Sequence, residues 1–175
     1  MNALFLDRDG VLNALRRNDY VKRPEELEVL PGVAEALQML RKHHDLLLVV
    51  TNQQGIGKGL MTEEDLASIH RKLQEETGNM IDRIYHCPEL EAAHSFMRKP
   101  NIGMALRARK DFPGLKLKEC TMVGDSMTDM LFGRRCGMRT VLVGDNSDVA
   151  HTCPRLVDMR YPTLLDFAKG SPGTL

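Results

Sequence analysis

The 175-residue chain sets 24 Lys and Arg against 24 Asp and Glu, so no overall field draws it to nucleic acid or to a membrane surface. Its length suits one full core and a single domain over residues 1–175; no apolar run approaches the roughly 18 residues of a membrane span, and the first residues lack the basic start and small-residue cleavage site of a signal peptide. A cytoplasmic setting is expected, with Cys87, Cys120, Cys136 and Cys153, none in C-x-x-C spacing, present as reduced thiols.

Taken in chain order, Ala3-Leu4-Phe5-Leu6 is a short apolar run of the kind that forms a buried central strand, and it closes on Asp7-Arg8-Asp9-Gly10. Residues two apart leave a strand on the same side, so Asp7 and Asp9 are expected to point into one place. Crowded carboxylates repel, so one must be neutralised by a cation or hold a proton. That pairing suits binding Mg²⁺ and supplying both a nucleophile and a proton donor. Taken alone, an acidic turn explains the same residues, since Asp and Gly are ordinary turn formers.

Pro31-Gly32 precedes a helix with Val33, Leu37 and Leu40 on one face, and Asp45 to Val50 reads as a second buried strand. Thr62 to Asp65 opens a helix close to a capping box, running to about Thr77-Gly78. A third strand is expected over Ile81 to His86, and a helix over Pro100 to Arg109 with Pro in its first turn. Cys120 to Val123 reads as a fourth strand, Thr128 to Cys136 as a helix stopped by Gly137, and Thr140 to Val143 as a fifth strand. Such βαβ repetition predicts an α/β fold with three Rossmann-like layers and a central parallel sheet. The core should span about residues 1–145. The tail from Asp148 predicts one short helix around Leu164, Leu165 and Phe167, and a frayed end over Lys169 to Leu175.

Doubly wound sheets bind ligands beyond the carboxyl ends of their strands. The second strand delivers Thr51-Asn52-Gln53-Gln54-Gly55 there, with Lys58 close behind; a hydroxyl and main-chain N–H groups can hold an anionic oxygen, though for this segment alone a polar turn leading to a helix is the better account. Arg98-Lys99-Pro100 places two cations before a helix, where a phosphate could be met, or where a basic turn is simply solvated. The fourth strand ends in Val123-Gly124-Asp125-Ser126-Met127-Thr128-Asp129. Asp125 and Asp129, four apart, return to one helical face; one can complete a hard-cation site while the other braces the loop or orients a lysine, and Asp125 or Ser126 could also merely cap the helix. Each piece is weak alone; their order, each at a strand end, is hard to assign to turn chemistry.

With these four motifs, FLDRDG, VVTNQ, RKP and VGDSMTD, the chain resembles the haloacid dehalogenase superfamily of phosphohydrolases from Leu4 to roughly Val143. Within it, residues 6–13, Tyr20-Val21, 51–56 and Arg98-Lys99-Pro100 with Gly103-Met104 resemble the branch of heptose-bisphosphate and histidinol-phosphate phosphatases. The resemblance implies Asp7 as nucleophile and Asp9 as general acid and base. It implies Mg²⁺ held by Asp7, the Asp9 carbonyl and Asp125, and phosphoryl oxygens bound by Thr51 and Lys99. Substrate would be positioned by Asn13, Tyr20, Asn52, Gln53 and Arg98. The implied activity is Mg²⁺-dependent hydrolysis of a small phosphorylated metabolite such as a heptose 1,7-bisphosphate, with histidinol phosphate or a broader set of phosphomonoesters as the alternative. A non-catalytic scaffold fits poorly, because every named role is filled.

Asp7 and Thr51 lie 44 residues apart and Thr51 and Lys99 48, spans filled by the expected elements, so the member is expected to be capless. Its site would be closed only by the loop Arg16 to Pro24 and the segment Cys87 to Met97. Many members of the branch carry a zinc loop before RKP. Here Cys87 remains, but Glu89, Ser95 and Met97 stand where further ligands would be, and a set of His86, Cys87 and His94 has the wrong spacing, so zinc is not expected.

Overall fold

The structure, a computed structural model, describes residues 1–145 and 147–170. Six strands, β1 (Ala3–Leu6), β2 (Leu46–Asn52), β3 (Arg83–Cys87), β4 (Thr121–Gly124), β5 (Arg139–Val143) and β6 (Met159–Tyr161), form one sheet in the order β3-β2-β1-β4-β5-β6. Every neighbouring pair is parallel. The helices are α1 (Val33–Arg41), α2 (Glu63–Glu76), α3 (Gly103–Asp111), α4 (Met127–Arg135), α5 (Ser147–Thr152) and α6 (Leu164–Gly170).

Strand alternation divides the apolar residues between the two faces of the sheet. Leu4, Leu6, Leu47, Val49, Val123 and Val141 pack with the buried sides of α1, α2 and α6. Ala3, Phe5, Leu48, Val50 and Met122 pack with Met104, Ala105 and Ala108 of α3 and Phe132 of α4. The rings of Phe5 and Phe132 meet edge-on at 6.3 Å. Both faces of β1 are therefore covered, which is why its sequence is apolar without alternation. The α2 start is a full capping box: Thr62 Oγ1 accepts from Asp65 N–H, and the Asp65 carboxylate accepts from Thr62 N–H.

Two expectations need correction. The core does not stop near residue 145. The tail adds α5 and a sixth strand, β6, hydrogen-bonded to β5, and Leu164, Phe167 and Ala168 of α6 are buried in the core shared with α1. Lys169 and Gly170 close α6, and the remainder of the segment expected to fray lies outside the described residues. Second, α3 begins at Gly103, not Pro100. Asn52 occupies the main-chain N–H and C=O of Lys99, and Asn101 N–H turns back to Arg98 O at 2.8 Å, so RKP is a turn ahead of the helix.

Between β1 and α1 the chain makes a loop with one 3-10 turn (Pro24–Glu26), and between β3 and α3 another (Glu91–Ala93). Among the described residues no further layer covers the carboxyl ends of the strands, in keeping with a capless form. No helix among them is long and apolar enough to cross a membrane.

Candidate active site

Because β1 lies between β2 and β4, the segments that follow these three strands converge at the centre of one sheet edge. They enclose a cleft of about 320 Å³ that holds Asp7, Asp9, Thr51, Lys99 and Asp125. Asp7 is placed by its main chain, whose N–H donates to Val123 O on β4 at 3.0 Å. Its Oδ1 accepts from Lys99 Nζ and from Arg8 N–H, both at 2.8 Å. Lys99 Nζ also donates to Asp129 Oδ1 at 2.6 Å, and all three residues are buried or nearly so. Burial and then Asp129 push the Asp7 carboxyl above its usual range, against the opposing pull of Lys99. Burial would lower Lys99, but Asp129 and Asp7 outweigh it and hold the ammonium firmly charged.

Asp9 has a different cation. Its Oδ1 accepts from Arg8 Nη2 and from Asn13 Nδ2, each at 3.0 Å, and its Oδ2 accepts from Gln53 Nε2 at 2.8 Å. Burial alone would raise its pKa; the Arg8 charge and the three donors reverse this and hold Asp9 below the ordinary carboxylate value. The same Gln53 amide donates to Thr51 Oγ1 at 2.8 Å, tying the end of β2 to the loop after β1. The expected neutralisation of the carboxylate pair is thus divided, with Lys99 on Asp7 and Arg8 on Asp9.

The β4 end is fastened by Asp129. Its Oδ2 accepts from Asp125 N–H and Ser126 N–H, each at 3.2 Å, and from Ser126 Oγ at 2.6 Å, while Ser126 caps α4 in return. Asp129 is thereby both loop brace and lysine partner, and Asp125 is left beside Asp7. Burial, then the Asp129 charge, pushes Asp125 up to about 7. Two glycines make this approach possible. A Cβ at Gly124 would collide with the Asp129 side chain, and one at Gly10, where φ is +89°, with the Asp125 carboxylate.

The residues expected to position substrate divide into two groups. Tyr20 lines the cleft; its hydroxyl accepts from Gln54 Nε2 at 3.0 Å and Lys58 Nζ at 2.8 Å, linking the two loops at the rim. Arg98 lines an adjoining cavity of about 280 Å³ with Lys99, and its Nη1 reaches Glu89 O at 3.4 Å. Asn52 and Gln53 line the cleft as well, and with Asn13 they bind its other residues. Asn13 is fully buried against Asp9, Asn52 donates to Lys99 O and accepts from Lys99 N–H, and Gln53 spans Thr51 and Asp9. Their amides hold Asp9, Thr51 and the main chain of Lys99 in place. Arg8, fully buried in the middle of the first motif, is the functional residue that sequence reading missed. A charged residue inside a buried strand end was the available signal.

A family model described as HAD-hydrolase-like matches residues 96–163. The D-glycero-alpha-D-manno-heptose-1,7-bisphosphate 7-phosphatase of Mycobacterium bovis is 42% identical over 130 residues, 73% of this chain and 68% of that protein. The D-glycero-beta-D-manno-heptose-1,7-bisphosphate 7-phosphatase of Haemophilus ducreyi is 33% identical over 94% of both chains. The chain belongs to this family of HAD-like phosphatases. A crystal structure of D,D-heptose 1,7-bisphosphate phosphatase from B. bronchiseptica, complexed with magnesium and phosphate, superposes with a TM-score of 0.87 at 28% identity, covering 97% of both chains.

HAD-like phosphatases use Mg²⁺, and the donor set at the cleft suits a hard divalent cation. Ligand oxygens of Asp7, Asp125 and Asp129 lie within 4.8 Å of one another, three carboxylates against the single ammonium of Lys99. Both Asp129 oxygens already accept hydrogen bonds, Oδ1 from Lys99 and Oδ2 from Ser126 and the loop N–H groups. The zinc loop is another matter. Cys87 is buried with Sγ directed to Glu89 Oε2 at 3.5 Å, His86 pairs with Glu63 Oε2 at 2.8 Å, and Ser95 Oγ accepts from Met97 N–H at 3.2 Å. Among the described residues no three ligating side chains converge in this segment.

Proposed function

We propose that this enzyme is a Mg²⁺-dependent phosphatase that removes the 7-phosphate of a D-glycero-D-manno-heptose 1,7-bisphosphate from a single, capless, cytoplasmic domain. The observation that carries the chemistry is the pair of separately neutralised carboxylates, Asp7 on Lys99 and Asp9 on Arg8, at one cleft. The substrate reading rests on the named activity of relatives such as those of Mycobacterium bovis and Haemophilus ducreyi.

In this reading Asp7 attacks phosphorus and becomes an aspartyl phosphate, while the bond from phosphorus to the sugar oxygen breaks and Asp9 gives that oxygen a proton. Water then attacks the aspartyl phosphate, Asp9 takes its proton, and phosphate and free Asp7 are regenerated. Mg²⁺, held by Asp7, Asp125 and the Asp9 carbonyl, supplies charge neutralisation at the phosphoryl oxygens. Thr51 and Lys99 bind the same oxygens, and because they are fixed by Gln53 and Asn52, little reorganisation is needed as charge develops. At rest Asp9 is an ionised carboxylate, suited to the base half of the cycle. The negative phosphoryl group, on arrival, favours its protonated form and readies the acid half. Tyr20 and Arg98, at the rim and in the adjoining cavity, position the sugar and its second phosphate.

The test is phosphate release from a panel of phosphorylated metabolites with Mg²⁺, using wild type and Asp7→Asn. Selective turnover of the heptose bisphosphate, abolished in the variant with an unchanged melting curve, is the expected result. Preference for histidinol phosphate, or broad weak turnover, would displace the substrate reading, and activity surviving in the variant would remove Asp7 as nucleophile.

A further inference from the structure

Arg8 carries a positive charge with no exposure to solvent, and its guanidinium has two side-chain partners. Nη2 donates to Asp9 Oδ1 at 3.0 Å, and Nη1 lies 3.3 Å from Nε2 of His70, a residue 62 positions away on α2. The third nitrogen, Nε, is buried without a partner. A guanidinium only donates hydrogen bonds and stays charged, so His70 Nε2 must offer its lone pair, which makes the ring neutral with its proton on Nδ1. Burial and the Arg8 charge keep it neutral, lowering the His70 pKa to about 3.

We propose that His70 is a positioning residue for the proton-transfer step: by accepting Arg8 Nη1 it fixes the guanidinium that in turn sets the Asp9 carboxylate. The inference rests on the reading of Asp9 as general acid. His70 is itself set from behind, its ring meeting that of His86 edge-on at 6.2 Å, and His86 is paired with Glu63 at the start of α2. A line of contacts thus runs from the exposed end of α2 to the reacting carboxylate. With the His70 acceptor removed, a buried cation would hold two unpaired nitrogens, and rotation of the guanidinium to satisfy them would draw it off Asp9.

The consequence is specific to the ester. An alkyl leaving group needs its proton in the first chemical step, whereas p-nitrophenolate leaves without one. Gln can place an acceptor where Nε2 stands; Asn is too short. His70→Gln should therefore keep kcat/KM within about twofold of wild type on both heptose bisphosphate and p-nitrophenyl phosphate, while His70→Asn loses about tenfold on the sugar ester alone, a fraction of a lost general acid. Equal behaviour of the two variants, or an equal loss on both esters, would overturn the proposal by reducing His70 to a packing residue. Independently of any variant, nitrogen chemical shifts of the wild-type protein should show His70 protonated at Nδ1 and bare at Nε2, and the opposite tautomer would overturn it. A wild-type protein inert toward both esters would instead sink the phosphatase reading on which the proposal stands.

Discussion

Lys99 Nζ stands 2.6 Å from Asp129 Oδ1, and neither side chain is more than 2% exposed. Asp129 also receives the main-chain N–H groups of Asp125 and Ser126, so one carboxylate serves Lys99, the α4 cap and the loop that presents Asp125. Asp129→Ala should cost about 3 kcal/mol, since it removes a cap and one partner of a buried cation. Asp129→Asn should cost less, because the amide oxygen can still accept at the cap and Lys99 keeps Asp7. Urea unfolding in the presence of chelator measures both, and equal midpoints for Ala and wild type would contradict this account.

Asp9→Asn tests the division of labour between the carboxylates. Turnover of the heptose bisphosphate should fall by about 10²–10⁴-fold, the usual loss of a general acid, while Mg²⁺ affinity stays close to wild type because the expected ligand there is a carbonyl. First-step kinetics with p-nitrophenyl phosphate should suffer far less. Equal slowing of both esters would remove Asp9 as the proton donor.

Much of this arrangement was legible in the sequence because it depends on local spacing. Asp7 and Asp9 share a cleft because they follow one strand two residues apart, and Asp129 sits beside the end of β4 because it is the third residue of α4, in the capping box that opens there. The Thr62 cap is equally local. What escaped is set by partners distant in sequence. Asn52 and Gln53 look like exposed amides in a polar turn, and only the meeting of strand ends turns them onto Lys99 and Asp9, 47 and 44 residues away. Met159–Tyr161 carries no apolar run and becomes a strand through its hydrogen bonds to β5. Arg8 has Asp9 beside it in the sequence, but its second partner, His70, lies 62 residues on.

Gly124→Ala should damage the site without entering it. The added methyl meets the Asp129 side chain, which is pinned by Lys99 and by the α4 cap and cannot withdraw. A loss of about 1–3 kcal/mol is expected from the overpacking, together with reduced turnover as Lys99 shifts. Wild-type stability and activity would show that the loop yields more easily than the packing implies.

His70 gives a pH signature in the metal-free protein. Its folded pKa, about 3, lies below the ordinary value of 6.5, so the unfolded chain binds the extra proton first. The stability that neutral His70 contributes is complete above pH 6.5 and is lost as pH falls toward 3. Asp125, pushed up to about 7, acts in the opposite direction over part of that range, so the comparison must be between wild type and His70→Gln. The difference in unfolding free energy between the two should shrink in favour of the variant as pH falls from 6.5 to 4. A constant difference would mean that His70 is not held neutral.

Metal dependence separates the two candidate ions. The carboxylates of Asp7 and Asp125 make an oxygen site for a hard cation, so a strong chelator should abolish activity and Mg²⁺ alone should restore it. Zinc has no comparable donor set: Cys87 faces Glu89, His86 is held by Glu63, and Ser95 is bound to the main chain of Met97. Elemental analysis should therefore find no stoichiometric zinc. Cys87→Ser should cost only about 1–2 kcal/mol, the price of a small buried group exchanged for a more polar one that can still donate to Glu89. One zinc per chain, lost together with several kcal/mol in Cys87→Ser, would show that the segment folds around metal after all and that Ser95 and Glu89 move to admit it.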